Sequence, residues 1–243
     1  MRTISENKIY RNWIKAEDLI SFEVSIKETD CLVLADKNLK KETEKLIIKN
    51  RNKIENYIEK HPEFLFSLSP IEVEREAPEI ISKMAFFSKK VGVGPMASVA
   101  GAIAEFVGKE LLSFSSEIII ENGGDIFLKS SKKRLISIYT GNSSLDRNFA
   151  LEIPKTNFPL GIATSSGKIG HSLSFGKADA VTSISNSAIF SDALATAVCN
   201  RVKSENDIKK GIDFSKSFKE VLGIVIIIDN KIGIWGNIKI KKI

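Results

Sequence analysis

The sequence predicts an α+β protein, a single domain over residues 1–243 with a mostly antiparallel sheet and packed helices. Three observations lead there. Short apolar or alternating runs are separated by turn signals, above all Asn122-Gly123. One long stretch repeats its apolar residues at helical spacing through Leu39, Leu46, Ile47, Ile54, Tyr57 and Ile58. The strand-like runs cluster instead of alternating with helices, no repeat period is present, and no Pro/Gly/Ser linker divides the chain.

Composition narrows the classes. With 243 residues and 43% apolar side chains, the chain can bury a substantial core and does not read as disordered or membrane-spanning. The apolar run Ile224 to Ile228 falls far short of the ~20 residues that cross a bilayer. Met1 to Lys8 contains no apolar segment of the secretory type. Cys31 and Cys199 lie far apart and form no metal-ligand pair, so a reducing cytoplasm is the expected setting. The net charge of +6 is spread over lysines of a solvated surface, and no basic stripe with interleaved aromatics is present. Neither nucleic acid nor membrane is therefore an expected partner; a homo-oligomer is left open.

The elements follow in order. Lys8 to Ile14 and Phe22 to Lys27 alternate as strands, and Cys31 to Ala35 is a short buried strand. Asp36 or Asn38 can cap the long helix, which His61-Pro62 ends. His61, next to Pro62 beyond a charged helix, is not set among hydroxyls and glycines and reads as a surface residue. A second helix starts around Pro78 and carries Ile80, Ile81, Met84 and Phe87. Val91 to Leu112 is Gly- and Ala-rich, a composition that permits close backbone approach. Glu117 to Glu121 and Ile126 to Lys129 are strands around the turn Asn122-Gly123-Gly124-Asp125. More strands are expected at Arg134 to Tyr139, Asn148 to Ile153 and Gly161 to Thr164. A Ser/Gly-rich loop fills Thr164 to Lys177, a small-residue helix spans Ser191 to Val202, and a β-meander closes the chain from Gly223. Ile238 to Ile243 alternates Lys with Ile, as an edge strand guarded by lysines does.

Four segments can carry chemistry. Asp192 and Thr196 are four apart on a helix, so a carboxylate and a hydroxyl share one face about 6 Å apart. Oxygen ligands of that kind suit Mg²⁺; equally, Ser191 or Asp192 can serve as an N-cap while Thr196 packs. Asn122-Gly123-Gly124-Asp125 reads first as a hairpin turn, and second as a place where backbone approaches a sugar or phosphate while Asp125 accepts from a hydroxyl. Gly161 to Ser172 gathers Thr164, Ser165, Ser166, Gly167, Lys168 and His171, in which His171 can act as a general acid/base or a phosphate contact. Nothing there resembles a nucleophile elbow. Lys177 and Asp179 read as a solvated ion pair. Gly94-Pro95-Met96-Ala97 suits a tight turn into a helix N-terminus, which attracts anions, without Walker or Rossmann spacing.

Taken in order, these segments resemble the ApbE-like (FAD:protein FMN transferase) superfamily, in a short cytoplasmic branch. Gly94-Pro95-Met96-Ala97 resembles its Gly-rich helix start, and Asn122-Gly123-Gly124-Asp125-Ile126 its Gly-Gly-Asp turn. Ala163-Thr164-Ser165-Ser166-Gly167 is similar to its Ala-Thr-Ser-Gly segment, and His171 sits where its loop histidine belongs. Ser191-Asp192-Ala193-Leu194-Ala195-Thr196-Ala197 is the nearest match. The resemblance covers residues 90 to 202 well. It implies FAD and Mg²⁺, with the metal held by Asp192, Thr196 and the carbonyl of Ala97. It also implies FMN transfer to a Thr or Ser of an acceptor protein, or hydrolysis of FAD to FMN and AMP. Asn122 to Asp125 and Thr164 to Gly167 would contact the cofactor, and His171 would handle the proton of the attacking hydroxyl. The family's Ile-Asp-Pro-Arg-Thr-Gly run is replaced by Ser172 to Lys177, and its Lys-Gly by Ser98-Val99. Both replacements fall on the flavin and acceptor side. A non-catalytic flavin or nucleotide binder, and a different small-molecule enzyme on the same scaffold, are therefore carried beside the transferase reading.

Overall fold

The structure is a computed structural model and describes residues 16–138, 149–168 and 175–242. Its centre is an eight-stranded sheet in the order β1-β2-β3-β4-β7-β8-β9-β10, every pairing antiparallel. The strands are β1 (Ile20–Ile26), β2 (Thr29–Ala35), β3 (Ile118–Asn122), β4 (Asp125–Lys129), β7 (Leu160–Ser165), β8 (Ala180–Ser185), β9 (Val221–Ile228) and β10 (Lys231–Gly236). A second sheet of three strands has the order β11-β6-β5, from β5 (Arg134–Ser137), β6 (Phe149–Ile153) and β11 (Lys239–Lys242).

Alternation along the strands divides the core. Ile118, Ile120 and Phe127 face α1 (Lys40–Lys60), α3 (Glu79–Val91) and α4 (Val99–Leu111), together with Ile47, Ile81, Met84 and Val107. Ile119, Ile126, Ile162 and Val225 point the other way and pack with Ile136, Leu151 and Ile153 of the small sheet. The third cluster joins α5 (Ala188–Arg201) and α6 (Ile208–Lys216) to Ile224 and Ile226 of β9. Each such side chain contributes about 1.5–3 kcal/mol by leaving water. Helices therefore cover one face of the large sheet and the small sheet covers the other. This is the α+β arrangement that the clustered strand runs predict.

Several local expectations are corrected. Neither Asp36 nor Asn38 is the N-cap of α1, which is Leu39: the Asp36 carboxylate accepts from Ser116 and the Glu117 amide, and Asn38, one residue before the cap, accepts from the Lys40 amide. Helix α5 begins at Ala188, one turn earlier than expected, because Ser187 is its N-cap and accepts from the Phe190 amide. Ser191 and Asp192 are therefore inside the helix, not at its cap. The closing strands are not one meander: β9 and β10 form a hairpin, whereas β11 pairs with β6. As expected, β11 is a lysine-bearing edge. His61 is only partly exposed, stacking on Tyr57 with ring centroids 4.4 Å apart, near Glu63 and Glu74. Asp179 is buried and pairs with Lys168 at 2.8 Å and with the Asp229 amide, not with Lys177. The short α2 (Glu63–Phe66) and α6 have no counterpart in the sequence reading. The expected strand Lys8 to Ile14 lies outside the described residues. Among the described residues no single helix is long and apolar enough to cross a membrane.

Candidate functional site

Four elements meet at one end of the large sheet. The turn between β3 and β4 is made by Gly123 and Gly124, with φ of 66° and 105°, the left-handed values that favour glycine in a two-residue hairpin. A Cβ on Gly123 would meet nothing within 4 Å, so that turn faces open space. The Glu121 carboxylate folds round to accept from the Gly124 amide at 2.7 Å. On either side of the turn stand Asn122 and Asp125, both buried and both on the helix side of the sheet with Phe127.

Helices α4 and α5 cross closely here. A Cβ on Gly101 would lie 2.4 Å from the Ala188 carbonyl oxygen and 2.9 Å from Asp192 Cβ. That proximity lets each helix cap the other. Asp192 Oδ2 accepts from the Gly101 amide at 2.9 Å, and the Ala100 amide also reaches this carboxylate. In return, Glu105 Oε2 accepts from Ser187 Oγ at 2.7 Å and from the Ile189 amide at 3.2 Å. The anion attracted by the α4 N-terminus is thus a carboxylate of the protein itself. Asn122 adds its side-chain amide, which donates to the Ala100 carbonyl at 3.1 Å.

Asp125 and Asp192 are buried side by side, and two neighbouring buried carboxylates do not both ionise readily, which favours one proton held between them. Burial pushes the Asp125 carboxyl far up, helped by the charges of Asp192 and Glu121 and opposed by the Thr164 amide. Burial also raises Asp192, to about 7, against the Gly101 and Ala100 amides. Thr196, one turn after Asp192, shares a hydrogen bond of 3.1 Å with Ser165 Oγ at the end of β7.

Four of the site residues expected from sequence are therefore brought together: Asp125, Asp192, Thr196 and Ser165. Thr164 lies on the opposite face of the sheet, where its hydroxyl pairs with Thr182 at 2.9 Å, while its backbone stays beside Gly124 and Asp125. Ser166 and Gly167 continue past β7; Ser166 Oγ accepts from the Lys168 amide, and the Gly167 amide donates to Ala178. Ala97 lies in the 3₁₀ turn Pro95–Ser98, which packs on α5 and leads into α4. Ser98, where the family carries Lys, is fully buried and donates to the Pro95 carbonyl at 2.9 Å. His171 lies outside the described residues. The sequence reading missed Glu105 and Glu121. Glu121 adjoins the Gly-Gly turn, the one local signal that could have drawn it in, whereas nothing near Glu105 announces its partners.

Among the described residues no group of three or more His, Cys, Asp or Glu is placed to hold a metal. The donors at the α4–α5 crossing are two carboxyls and two hydroxyls, an oxygen-only set. It fits Mg²⁺, which takes few protein ligands and completes its shell with water and phosphate oxygens.

Comparison with known proteins accords with this order of motifs. The family model described as "AbpE bacteria" matches residues 11–216. This chain belongs to that family. A UPF0280 protein of Methanocaldococcus jannaschii is 43% identical over 221 residues, covering 88% of this chain and 90% of its own. One from Methanobrevibacter smithii is 41% identical over 201 residues, covering 80% and 84%. Among solved structures, the flavin transferase ApbE of Vibrio cholerae aligns with a TM-score of 0.59 at 11% identity, over 89% of this chain and 96% of its own. The apo flavinyl transferase ApbE of Pseudomonas stutzeri gives 0.57 at 12% identity, over 89% and 93%. At such identities the likeness is one of fold, and it agrees with the ApbE-like assignment drawn from the motifs.

Proposed function

We propose that this chain, acting as one domain, is a Mg²⁺-dependent enzyme for FAD or a related phosphorylated nucleotide cofactor. The observation that carries this reading is the meeting of Asp125, Asp192, Thr196 and Ser165 beside the open Gly123-Gly124 turn. Asp192 and Thr196 are the proposed metal ligands, with the Ala97 carbonyl as a third. When bound, the cation supplies neutralisation of charge on pyrophosphate oxygens. The Gly123-Gly124 backbone offers close approach to a sugar or phosphate, and Asn122, Asp125 and the Thr164 to Gly167 segment flank that approach. His171, by its resemblance to the loop histidine, takes the proton of the attacking hydroxyl, which belongs to an acceptor protein in FMN transfer or to water in hydrolysis.

A second reading, a ligand holder without turnover, is favoured by one observation. Ser98 occupies the family's lysine position and is buried in hydrogen bonds, so it offers no cation to a substrate. Incubation of the pure protein with FAD and Mg²⁺, with and without a Thr-bearing acceptor, separates the two. FMN, AMP or flavin-labelled acceptor is expected, with a loss of at least tenfold in Asp192→Asn. Tight FAD binding without any of these products, unchanged in His171→Ala, would establish the holder. Absence of nucleotide binding would defeat both.

A further inference from the structure

Strand β10 ends the large sheet, and among the described residues no strand pairs with its outer side. The two-residue turn Asp229-Asn230 joins it to β9, with Asp229 at a φ of 51° and Ile228 opposite Lys231. Ile228 and Lys231 are then the hydrogen-bonded pair that closes the hairpin, and pair type alternates from there. Lys231, Gly233 and Trp235 direct their backbone groups to β9, whereas Ile232 and Ile234 direct theirs outward. The side chains of Ile232 and Ile234 are also 36% and 46% exposed, on the face opposite α6. On the α6 face, Gly233 is pressed against Ile208, where a Cβ would come within 2.1 Å, and Lys216 sits over the Trp235 ring.

We propose that β10 is a docking edge for a second copy of this chain, joined antiparallel about a two-fold axis through Gly233. In that register Ile232 of each copy lies opposite Ile234 of the other, and each such pair exchanges both of its outward hydrogen bonds. The central Gly233 pair is of the non-hydrogen-bonded kind, with Cα atoms ~4.5 Å apart, and glycine sets no Cβ in the way. Four isoleucines then form one apolar stripe across the joint. Lys231 lies opposite Trp235 of the second copy, so within the paired strands no charge faces a like charge. The other edges of the large and small sheets fit less well: a pairing of β1 about its central residue sets Glu23 against Glu23, and β11 carries lysine at three of its four positions. Closing β10 by symmetry leaves β1, with Glu23 at its centre, as the outer edge of the large sheet in each copy.

Size-exclusion chromatography with light scattering on the full chain tests this. The expected mass is twice 26.9 kDa. Ile232→Lys with Ile234→Lys sets lysine against lysine at each pair, and the mass is expected to fall by half. Ile232→Lys with Ile234→Glu sets opposite charges across each pair, and the doubled mass is expected to return. All three proteins are compared by circular dichroism, because both positions are solvent-facing and the fold should survive. A wild-type mass of 26.9 kDa, or a dimer that persists in the double-lysine variant, overturns the proposal. A monomeric Lys/Glu variant beside a monomeric Lys/Lys variant overturns the two-fold register.

Discussion

Gly101→Ala tests whether the close crossing of α4 and α5 holds the candidate site together. The new Cβ would fall 2.4 Å from the Ala188 carbonyl oxygen. Ordinary contact lies near 3.5 Å, so the helices must separate by about 1 Å along that line. The Gly101 amide now stands 2.9 Å from Asp192 Oδ2. The same displacement carries it to roughly 3.9 Å, beyond hydrogen-bond reach. Overpacking costs about 1–3 kcal/mol and a lost cap about 1 kcal/mol, together about 2–4 kcal/mol. At this chain length 1 kcal/mol moves Tm by about 2–4 °C, which puts the fall at about 4–16 °C. Far-UV circular dichroism melts with and without FAD and Mg²⁺ measure it, and the ligand-dependent rise in Tm should shrink as well. Gly108→Ala is the comparison, since the nearest atoms to its Cβ belong to the ring of Phe127, and it lies about two turns along α4 from Gly101. It should lower Tm and keep the ligand effect. A Gly101→Ala protein that melts within about 1 °C of wild type would refute the crossing argument. One that melts low but keeps the full ligand effect would show that the crossing does not carry the site.

Two further outcomes follow from the carboxyl pair and its hydroxyl neighbours. The folded protein holds a proton on Asp125 and Asp192 that the unfolded chain releases near pH 4. This pair's contribution to stability without metal is therefore fully present below that pH. It is lost as pH rises through the raised folded values, about 7 for Asp192. Urea unfolding across that window should show the slope, Asp125→Asn should flatten it, and an equal slope in the variant contradicts the shared proton. Thr196→Val keeps shape and removes the hydroxyl that meets Ser165. Unfolding free energy should drop by only about 1–2 kcal/mol, whereas Mg²⁺-dependent turnover of FAD should fall at least tenfold; undiminished turnover would remove Thr196 from the ligand set.

The strands were legible where a turn announced them. Asn122-Gly123-Gly124-Asp125 needs left-handed backbone at two successive positions, and glycine occupies both. Helix α1 was legible because its buried residues, Ile47, Ile54 and Tyr57, return at helical spacing over about three turns of chain. Helix α5 was misplaced by a turn because nearly all of it is buried. With apolar residues on every side it has no stripe to mark its start, and only Ser187 fixes the cap. Helix α6 carries Gly211 at its centre, which reads locally as a break. In the fold that glycine lets Val198, Val202 and Ile226 come up against the backbone. The division into two sheets was not legible, since β11 alternates as any last meander strand would and its partner β6 is remote in sequence.

The site was legible as a set of residue types and not as a set of bonds. Asp192 and Thr196 announce themselves by spacing, and the Gly-Gly-Asp turn by its glycines. What no local pattern shows is that Asp192 already has work in the fold, closing the N-terminus of α4 while Glu105 closes that of α5. The proposed metal-binding role is compatible with this one because a carboxylate offers about four lone-pair sites and the α4 amides use only part of them. The two roles also constrain each other. A side chain fixed by amides from a different helix cannot swing to meet a ligand, so its position is set before any cation arrives. The shared proton with Asp125 adds a second constraint, because a cation competing for the same oxygens must displace it. The capping role of Asp192 explains why its surroundings are built from glycine and alanine. Gly101 admits the crossing, and Ala193, Ala195 and Ala197 keep the helix slim enough to lie against sheet and helix at once. Larger side chains there would part the helices and scatter the oxygens that now converge.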